Sequence, residues 1–295
     1  MMGPHHAACG AAAWVAVTTQ VHLDLAPLTA VLGWGPASLD LGSPLLHASP
    51  LGVVAGALVT AGAALLPDAD HPRATIAHSL PPVSRFACEG IGAVAGGHRN
   101  GTHSLLGIAV FTAIAWAAGR WTAVVPMLGT LHIGTLHIGT LHVGAGLVSL
   151  LLVAFAAKVL GVFPEGVRRI PWLVAVPLAA FIAVFAPHEQ DWFPLAVALG
   201  CSVHIAGDML TTGGCNLLWP IAFRRPRRFS RIPLLAWMWR PGGHVSFPVL
   251  GDAGSWREWL MLIPVGCYAV AGVGGAVWAL GQAGAAAVAA AWGAR

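Results

Sequence analysis

The sequence contains few charged residues. Asp, Glu, Lys and Arg together make up 9% of its 295 positions, and only eleven residues are acidic. Soluble domains carry about 25% charged residues, whereas 57% of this chain is hydrophobic. The segment 259–294 has no charged residue in 36 positions. This scarcity of charge excludes an ordinary soluble domain and indicates a chain whose helices lie in a membrane.

Paired cysteine motifs are also absent. The five cysteines show no C-x-x-C spacing, which argues against a disulfide framework and against a cysteine zinc site. Because several lie inside apolar runs, we expect small buried thiols. The first residues lack the basic segment of a secretory signal peptide, so none is predicted.

The apolar runs predict an all-α, polytopic helical membrane protein with about six spanning helices. A bilayer is crossed by about 20 apolar residues in a helix. The predicted spans are residues 51–66, 104–128, 143–163, 170–187, 192–210 and 259–294. The segment 7–19 is apolar but short, and we predict an interfacial or partly inserted helix there.

The arginines predict the orientation of these helices. They concentrate in three connecting segments: Arg73, Arg85 and Arg99; Arg168 and Arg169; and Arg224, Arg225, Arg227, Arg228 and Arg231. By the positive-inside rule all three segments are cytoplasmic, and the acidic turn 189–191 falls on the opposite side. The last group also suits anionic membrane lipids as partners. No recognition motif indicates nucleic acid, so no nucleic-acid partner is expected.

The segment 130–144 is an internal repeat of Thr-Leu-His-Ile-Gly, with Val143 in the third copy. On a helix the five-residue spacing would turn 500° per step, so His132, His137 and His142 would not share one face. We predict a tandem expansion in a loop, on the side away from the acidic clusters. A histidine tract that binds metal is the alternative.

Three polar clusters rich in His and Asp interrupt the apolar runs. The first holds Asp68, Asp70 and His71, the second His98, Arg99 and His103, and the third His204 and Asp208. A carboxylate in apolar surroundings is costly unless a cation or hydrogen bonds compensate it. His and Asp together are ligands for zinc and similar divalent metals. The clusters therefore predict a metal site at helix ends on one side of the membrane.

Local spacing adds detail to this prediction. His204 and Asp208 are four apart and share a helical face. Of Asp68 and Asp70, one is expected to bind metal and the other to orient a ligand. Thr102 is predicted to cap the following helix. Taken alone, a His and an Asp four residues apart on an apolar helix more often form a buried hydrogen-bonded pair than a metal site. A D-x-D-H segment alone is often a solvated turn.

The motifs D-x-D-H-P (68–72), H-R-N-G-T-H-S (98–104) and H-x-x-x-D-x-L-T-T-x-G (204–214), with His6 before them, resemble the YdjM-like family. These are bacterial inner-membrane proteins described as metal-dependent hydrolases. More distantly, the pattern is similar to that of zinc-dependent phospholipase C enzymes. The resemblance covers residues 1–228, whereas 229–295 are predicted to form a cytoplasmic loop and a C-terminal transmembrane helix.

The resemblance implies a divalent metal, with zinc as the first candidate and room for two ions. It implies as metal ligands His6, Asp68, His98, His103, His204 and Asp208. The implied reaction is hydrolysis of a phosphoester or lipid-type substrate by metal-activated water. Asp70 or His71 would move protons, and Arg99 would bind a phosphate or carboxylate. The alternatives are a transporter or channel whose buried His and Asp line an ion path, and a non-catalytic protein with a structural metal.

Overall fold

The computed structural model describes residues 1–78, 82–124, 131–133, 136–138, 140–161, 171–185, 192–221, 223–240 and 242–293. Three sequence predictions fall outside these ranges. They concern the arginines at 168 and 169, the acidic turn at 189–191, and parts of the histidine repeat.

The described residues are mostly helical. The helices are α1 (Gly3–Thr18), α2 (Ala26–Leu32), α3 (Pro50–Ala63), α4 (Val83–Val94), α5 (Leu105–Gly119), α6 (Val143–Leu160), α7 (Trp172–Phe185), α8 (Trp192–Met209), α9 (Pro233–Met238) and α10 (Trp256–Gly293). Short 3₁₀ turns cover Pro67–Asp70, Thr75–His78, Gly101–His103 and Arg227–Arg231. The strands are β1 (Val21–Asp24), β2 (Ser38–Leu41), β3 (Ala123–Val124), β4 (Leu131–Ile133), β5 (Leu136–Ile138) and β6 (Thr140–Leu141).

Helix α3 is the centre of the bundle and packs against α1, α6, α8 and α10. Two glycines bring its neighbours unusually close. A Cβ atom on Gly10 of α1 would lie 2.7 Å from the carbonyl oxygen of Thr60, and one on Gly200 of α8 would lie 2.6 Å from the same oxygen. Only glycine permits backbone contacts this short, so α1 and α8 lie directly against α3.

Among the described residues, four helical segments are long and apolar enough to cross a membrane: Pro50–Asp70, Val143–Leu160, Trp192–Met209 and Trp256–Ala290. Two more predicted spans correspond to the shorter apolar helices Leu105–Gly119 and Trp172–Val184. The helical membrane class is thus confirmed with four candidate spans, whereas the count of six stays a prediction.

The N-terminal helix α1 contains the short apolar segment 7–19, for which an interfacial or partly inserted helix is predicted. It packs against α3, α6, α8 and α10, and Ala7, Trp14 and Val15 are buried. The indole N–H of Trp14 donates a hydrogen bond of 3.0 Å to the carbonyl of Gly52 in α3. The segment therefore belongs to the core of the helix bundle, and its depth in the membrane stays a prediction.

Small strands modify the all-α prediction. β1 and β2 pair antiparallel, β4 pairs with β5, and β3 pairs with β6. The described parts of the histidine repeat form β4, β5 and β6, with His132 opposite His137 in the register, and its last two residues begin α6. The repeat is thus mostly extended where it is described.

The cysteines agree with the expectation of unpaired thiols. All five are free, and Cys88, Cys201 and Cys215 are buried, whereas Cys267 is exposed. Burial raises the pKa of the Cys215 thiol far above its usual range, which makes it unreactive.

Candidate metal centre

Four segments that are distant in the sequence meet at one end of the bundle. His6 lies in the first turns of α1, and Asp68 and Asp70 lie in the 3₁₀ turn that follows α3. His103 ends the turn before α5, while His204 and Asp208 lie near the end of α8. The chain direction alternates between these helices, so their polar ends face the same region.

The centre of the site is formed by His103 and His204, whose Nε2 atoms are 3.1 Å apart. An oxygen of Asp68 lies 3.7 Å from each of these nitrogens. An oxygen of Asp208 lies 3.6 Å from the nitrogen of His103 and 3.8 Å from that of His204. Both histidines are fully buried, and Asp208 is nearly so.

Hydrogen bonds fix the tautomers of the two central histidines. Nδ1 of His204 donates to the carbonyl oxygen of Ala64 at 2.7 Å. Nδ1 of His103 lies 3.1 Å from the hydroxyl oxygen of Thr102, which itself donates to Asp70, and 3.2 Å from a carboxylate oxygen of Asp70. A neutral imidazole that donates from Nδ1 has its lone pair on Nε2. Two such lone pairs therefore face each other beside the carboxylates of Asp68 and Asp208, and Asp208 also contacts the amino group of Met1 and the guanidinium of Arg99.

The separations match those expected around a small metal ion. With ligand bonds of about 2.0–2.1 Å, atoms at the corners of a tetrahedron lie about 3.3 Å apart. The recorded separations of 3.1–3.8 Å bracket this value. Small shifts of the side chains would bring His103, His204 and one or both carboxylates to bonding distance.

His6 extends the cluster toward α1. Its ring stacks on His204 with centroids 3.7 Å apart, and its Nε2 lies 3.2 Å from the second oxygen of Asp208. The ring is buried, yet neither nitrogen makes a hydrogen bond of acceptable geometry among the described residues. Because a buried polar atom normally has a partner, this orphaned ring fits a ligand to a cation that Asp208 would share.

Asp70 lies behind His103 and is buried. Besides His103, its carboxylate accepts hydrogen bonds from Nδ1 of His98 at 2.9 Å, from the hydroxyl of Thr102 at 2.5 Å and from the backbone N–H of Arg99 at 3.2 Å. A carboxylate on the far side of a ligating histidine orients the ring and increases its basicity. Asp70 occupies this orienting position.

Arg99 adopts a left-handed backbone conformation with φ of 66°. Such strain in a residue other than glycine persists only where surrounding contacts hold it. Here the N–H is bonded to Asp70 and the carbonyl accepts from Asn216. The conformation places the guanidinium Nε 3.2 Å from Asp208 and Nη1 3.4 Å from the hydroxyl of Thr211.

The buried His103 and the more exposed His71 have opposite pKa shifts. Burial disfavours a charge on His103, but the nearby carboxylates of Asp68 and Asp70 outweigh this and raise its pKa to about 9. Burial, and next the neighbouring His98, lower the pKa of His71. Without a metal, a proton on His103 can therefore compensate the carboxylates, while His71 is neutral at pH 7.

A family model described as YdjM inner membrane protein matches residues 1–161 and 169–279. The chain belongs to the YdjM inner membrane protein family. The match extends beyond residue 228, the limit of the motifs that suggested the family. No curated protein and no solved structure matches the chain.

In this YdjM family member the six predicted ligands separate into two groups. Five of them converge and form two sets of three that share His204. One set is His6, His204 and Asp208, and the other is Asp68, His103 and His204. His98 instead joins Asp70 and His103, and its ring lies 5.0 Å from that of His103 on the side away from His204. The ring of His71 lies edge-to-face with that of His98, at 4.7 Å between centroids.

Several residues of the site were not predicted from the sequence. Thr102 was expected to cap α5, but Ser104 is the cap, accepting from the N–H of Gly107 at 3.1 Å, and Thr102 binds Asp70. A second buried pair, His5 with Glu258, connects α1 to α10 beside the site. Their separation of 253 positions in the sequence leaves no local signal.

Proposed function

We propose that this inner-membrane protein is a multi-pass, metal-dependent hydrolase of phosphoester or lipid-type substrates, with its site on the cytoplasmic side. The observation that carries the proposal is the convergence of the Nε2 lone pairs of His103 and His204 on two carboxylates in a buried site. The arginine distribution supports the cytoplasmic orientation.

The residues present fit a divalent metal, because nitrogen and carboxylate donors with fixed tautomers surround a common point. The proposed ligands are His6, Asp68, His103, His204 and Asp208. The two oxygens of Asp208 face different histidines, His6 and His103, so the donor set would have room for a second ion. We propose that His98 holds Asp70 in place through their hydrogen bond and is not itself a metal ligand.

When bound, a divalent metal lowers the pKa of water to about 7 and polarises a phosphoryl oxygen. The protein residues supply the remaining functions. Asp70 keeps the His103 ring in its binding tautomer. Asp68 has a side chain 26% exposed, so the substrate can reach the site on this side. His71, neutral at pH 7, is suited to accept a proton at the rim.

Arg99 is placed to bind the substrate. Its guanidinium is 19% exposed and lies beside Asp208, where its remaining donors can bind phosphate oxygens. Its contact with Asp208 also holds that carboxylate in position.

Metal content measured by mass spectrometry on detergent-purified protein tests the proposal. His103→Ala and Asp208→Ala should lose bound metal and hydrolysis of bis-(p-nitrophenyl) phosphate, while membrane insertion persists because the apolar helices determine it. His22→Ala is the matched control, since His22 forms an exposed pair with Asp40 at 2.7 Å outside the site.

Unchanged metal content in both variants would reject the ligand assignment. Bound metal in the parent protein with no turnover of any phosphoester would favour the alternative of a non-catalytic or transport-type membrane protein with a buried metal site.

A further inference from the structure

An apolar groove of about 790 Å³ lies between α4 and α5. Its walls include Phe86, Ile91 and Val94 on α4 and Leu106, Val110 and Ile114 on α5. Most of these side chains are exposed, up to 79% for Val94 and 69% for Phe86. The volume is in the range of about 300–1,000 Å³ that is typical of binding sites for small molecules.

The two helices that form the groove differ in character. α4 is amphipathic, with Arg85 and Glu89 forming an ion pair at 2.9 Å on its polar side. α5 is apolar around its whole circumference, which is typical of a helix in contact with lipid or other apolar surroundings. A strongly amphipathic helix beside it is suited to the membrane interface, so the groove is placed where acyl chains are available.

One end of the groove lies beside the candidate metal centre. Gly101 and Thr102 line this end. The hydroxyl of Thr102 lies 2.5 Å from Asp70 and 3.1 Å from Nδ1 of His103. His98 and Arg99 lie two to three residues before Gly101 in the chain and carry partly exposed side chains. The apolar groove is therefore next to basic side chains and to the His/Asp cluster.

We propose that the groove binds an acyl chain of a membrane phospholipid and so places its phosphoester at the candidate metal centre. This substrate class rests on the proposed function. The apolar walls match the chain, and Arg99 and His98 match the anionic headgroup. A transmembrane helix of a second copy would match the walls alone and leave these basic residues unused.

Gly90 offers a direct way to fill the groove. It lines the groove, and a Cβ atom there would meet no heavy atom within 4 Å among the described residues. Leucine at this position favours the helix over glycine, so Gly90→Leu should block the groove while α4 stays folded. Gly284→Leu is the matched control, since Gly284 lies on α10 with the same open surroundings.

The test uses full-length protein in phosphatidylglycerol nanodiscs that contain a phosphatidylglycerol with a diazirine in its acyl chain. Light-induced labelling should appear on peptides of α4 and α5. Gly90→Leu should reduce it about tenfold, the factor expected when two buried methylene groups are excluded. Gly284→Leu should leave it unchanged. Hydrolysis of long-chain phosphatidylglycerol should fall in parallel, while that of bis-(p-nitrophenyl) phosphate should persist.

The outcomes separate this proposal from the proposed function. Labelling that Gly90→Leu does not change would mean contact with bulk lipid only, and would overturn the groove proposal even if the soluble ester is hydrolysed. Labelling sensitive to Gly90→Leu without hydrolysis of either ester would support the acyl-chain site and overturn the hydrolase. A dimer that Gly90→Leu dissociates, with no change in labelling, would assign the groove to a second copy.

Discussion

Replacement of Asp70 by Asn tests whether this carboxylate orients His103 or binds the metal itself. The substitution keeps the shape of the side chain but removes its charge. The contacts at risk are those with His98, His103 and Thr102 and with the backbone of Arg99, at 2.5–3.2 Å. The amide can retain one accepting oxygen, but its NH₂ group faces a donor.

The size of the effect follows from the bond to His103. A hydrogen bond to a charged acceptor contributes about 1.5–3 kcal/mol, against about 1 kcal/mol for a neutral one. Loss of the charge should thus weaken the orientation of His103 by about 1–2 kcal/mol, which is about 5- to 30-fold in metal affinity. This agrees with the 10–100-fold effects typical of residues that support metal ligands.

Competition between the purified protein and a fluorescent zinc chelator measures this affinity. Asp70→Asn should bind the same number of ions as the parent with weaker affinity. Asp40→Asn, in the exposed pair with His22, should bind like the parent. An unchanged affinity for Asp70→Asn would refute the orienting role, and a complete loss of bound metal would make Asp70 a ligand.

Two further predictions concern the membrane and the packing. Reporter fusions at Arg85 and Arg225 should both indicate the cytoplasm, because arginines concentrate there; opposite sides would separate the two halves of the site. Gly56→Ala should lower the thermal stability in detergent by an amount equivalent to about 1–3 kcal/mol, because its methyl group would lie 2.0 Å from the indole of Trp14. Gly266→Ala, with open space around it, should not.

The candidate site was largely predictable because its residues are exceptional in their surroundings. Asp68, Asp70 and Asp208 are acidic residues beside histidines in an apolar chain, and such residues need partners. Sequence spacing could not divide them into ligands and supporting residues. That division depends on whether a side chain lies on the near or far side of His103, which is a property of the folded loop.

The fold was less predictable where short-range and long-range effects compete. Val21–Asp24 and Ser38–Leu41 alternate apolar and polar residues in the manner of strands, but they are short and lie between strongly apolar segments. The short apolar run in α1 suggested an interfacial or partly inserted helix. Its burial depends instead on Gly10 and on contacts with α3 and α10, which no local pattern reveals.

The glycine contacts of α3 have a consequence for how the candidate site tolerates substitution. Gly10 lies one helical turn after His6, and Gly200 lies one turn before His204. The residues that let α1 and α8 approach α3 are thus adjacent to the residues that would bind metal. A side chain at Gly10 or Gly200 would collide with the backbone of Thr60, so the helix would have to move and carry its histidine with it. The site therefore depends on two residues that have no side chain to offer a metal.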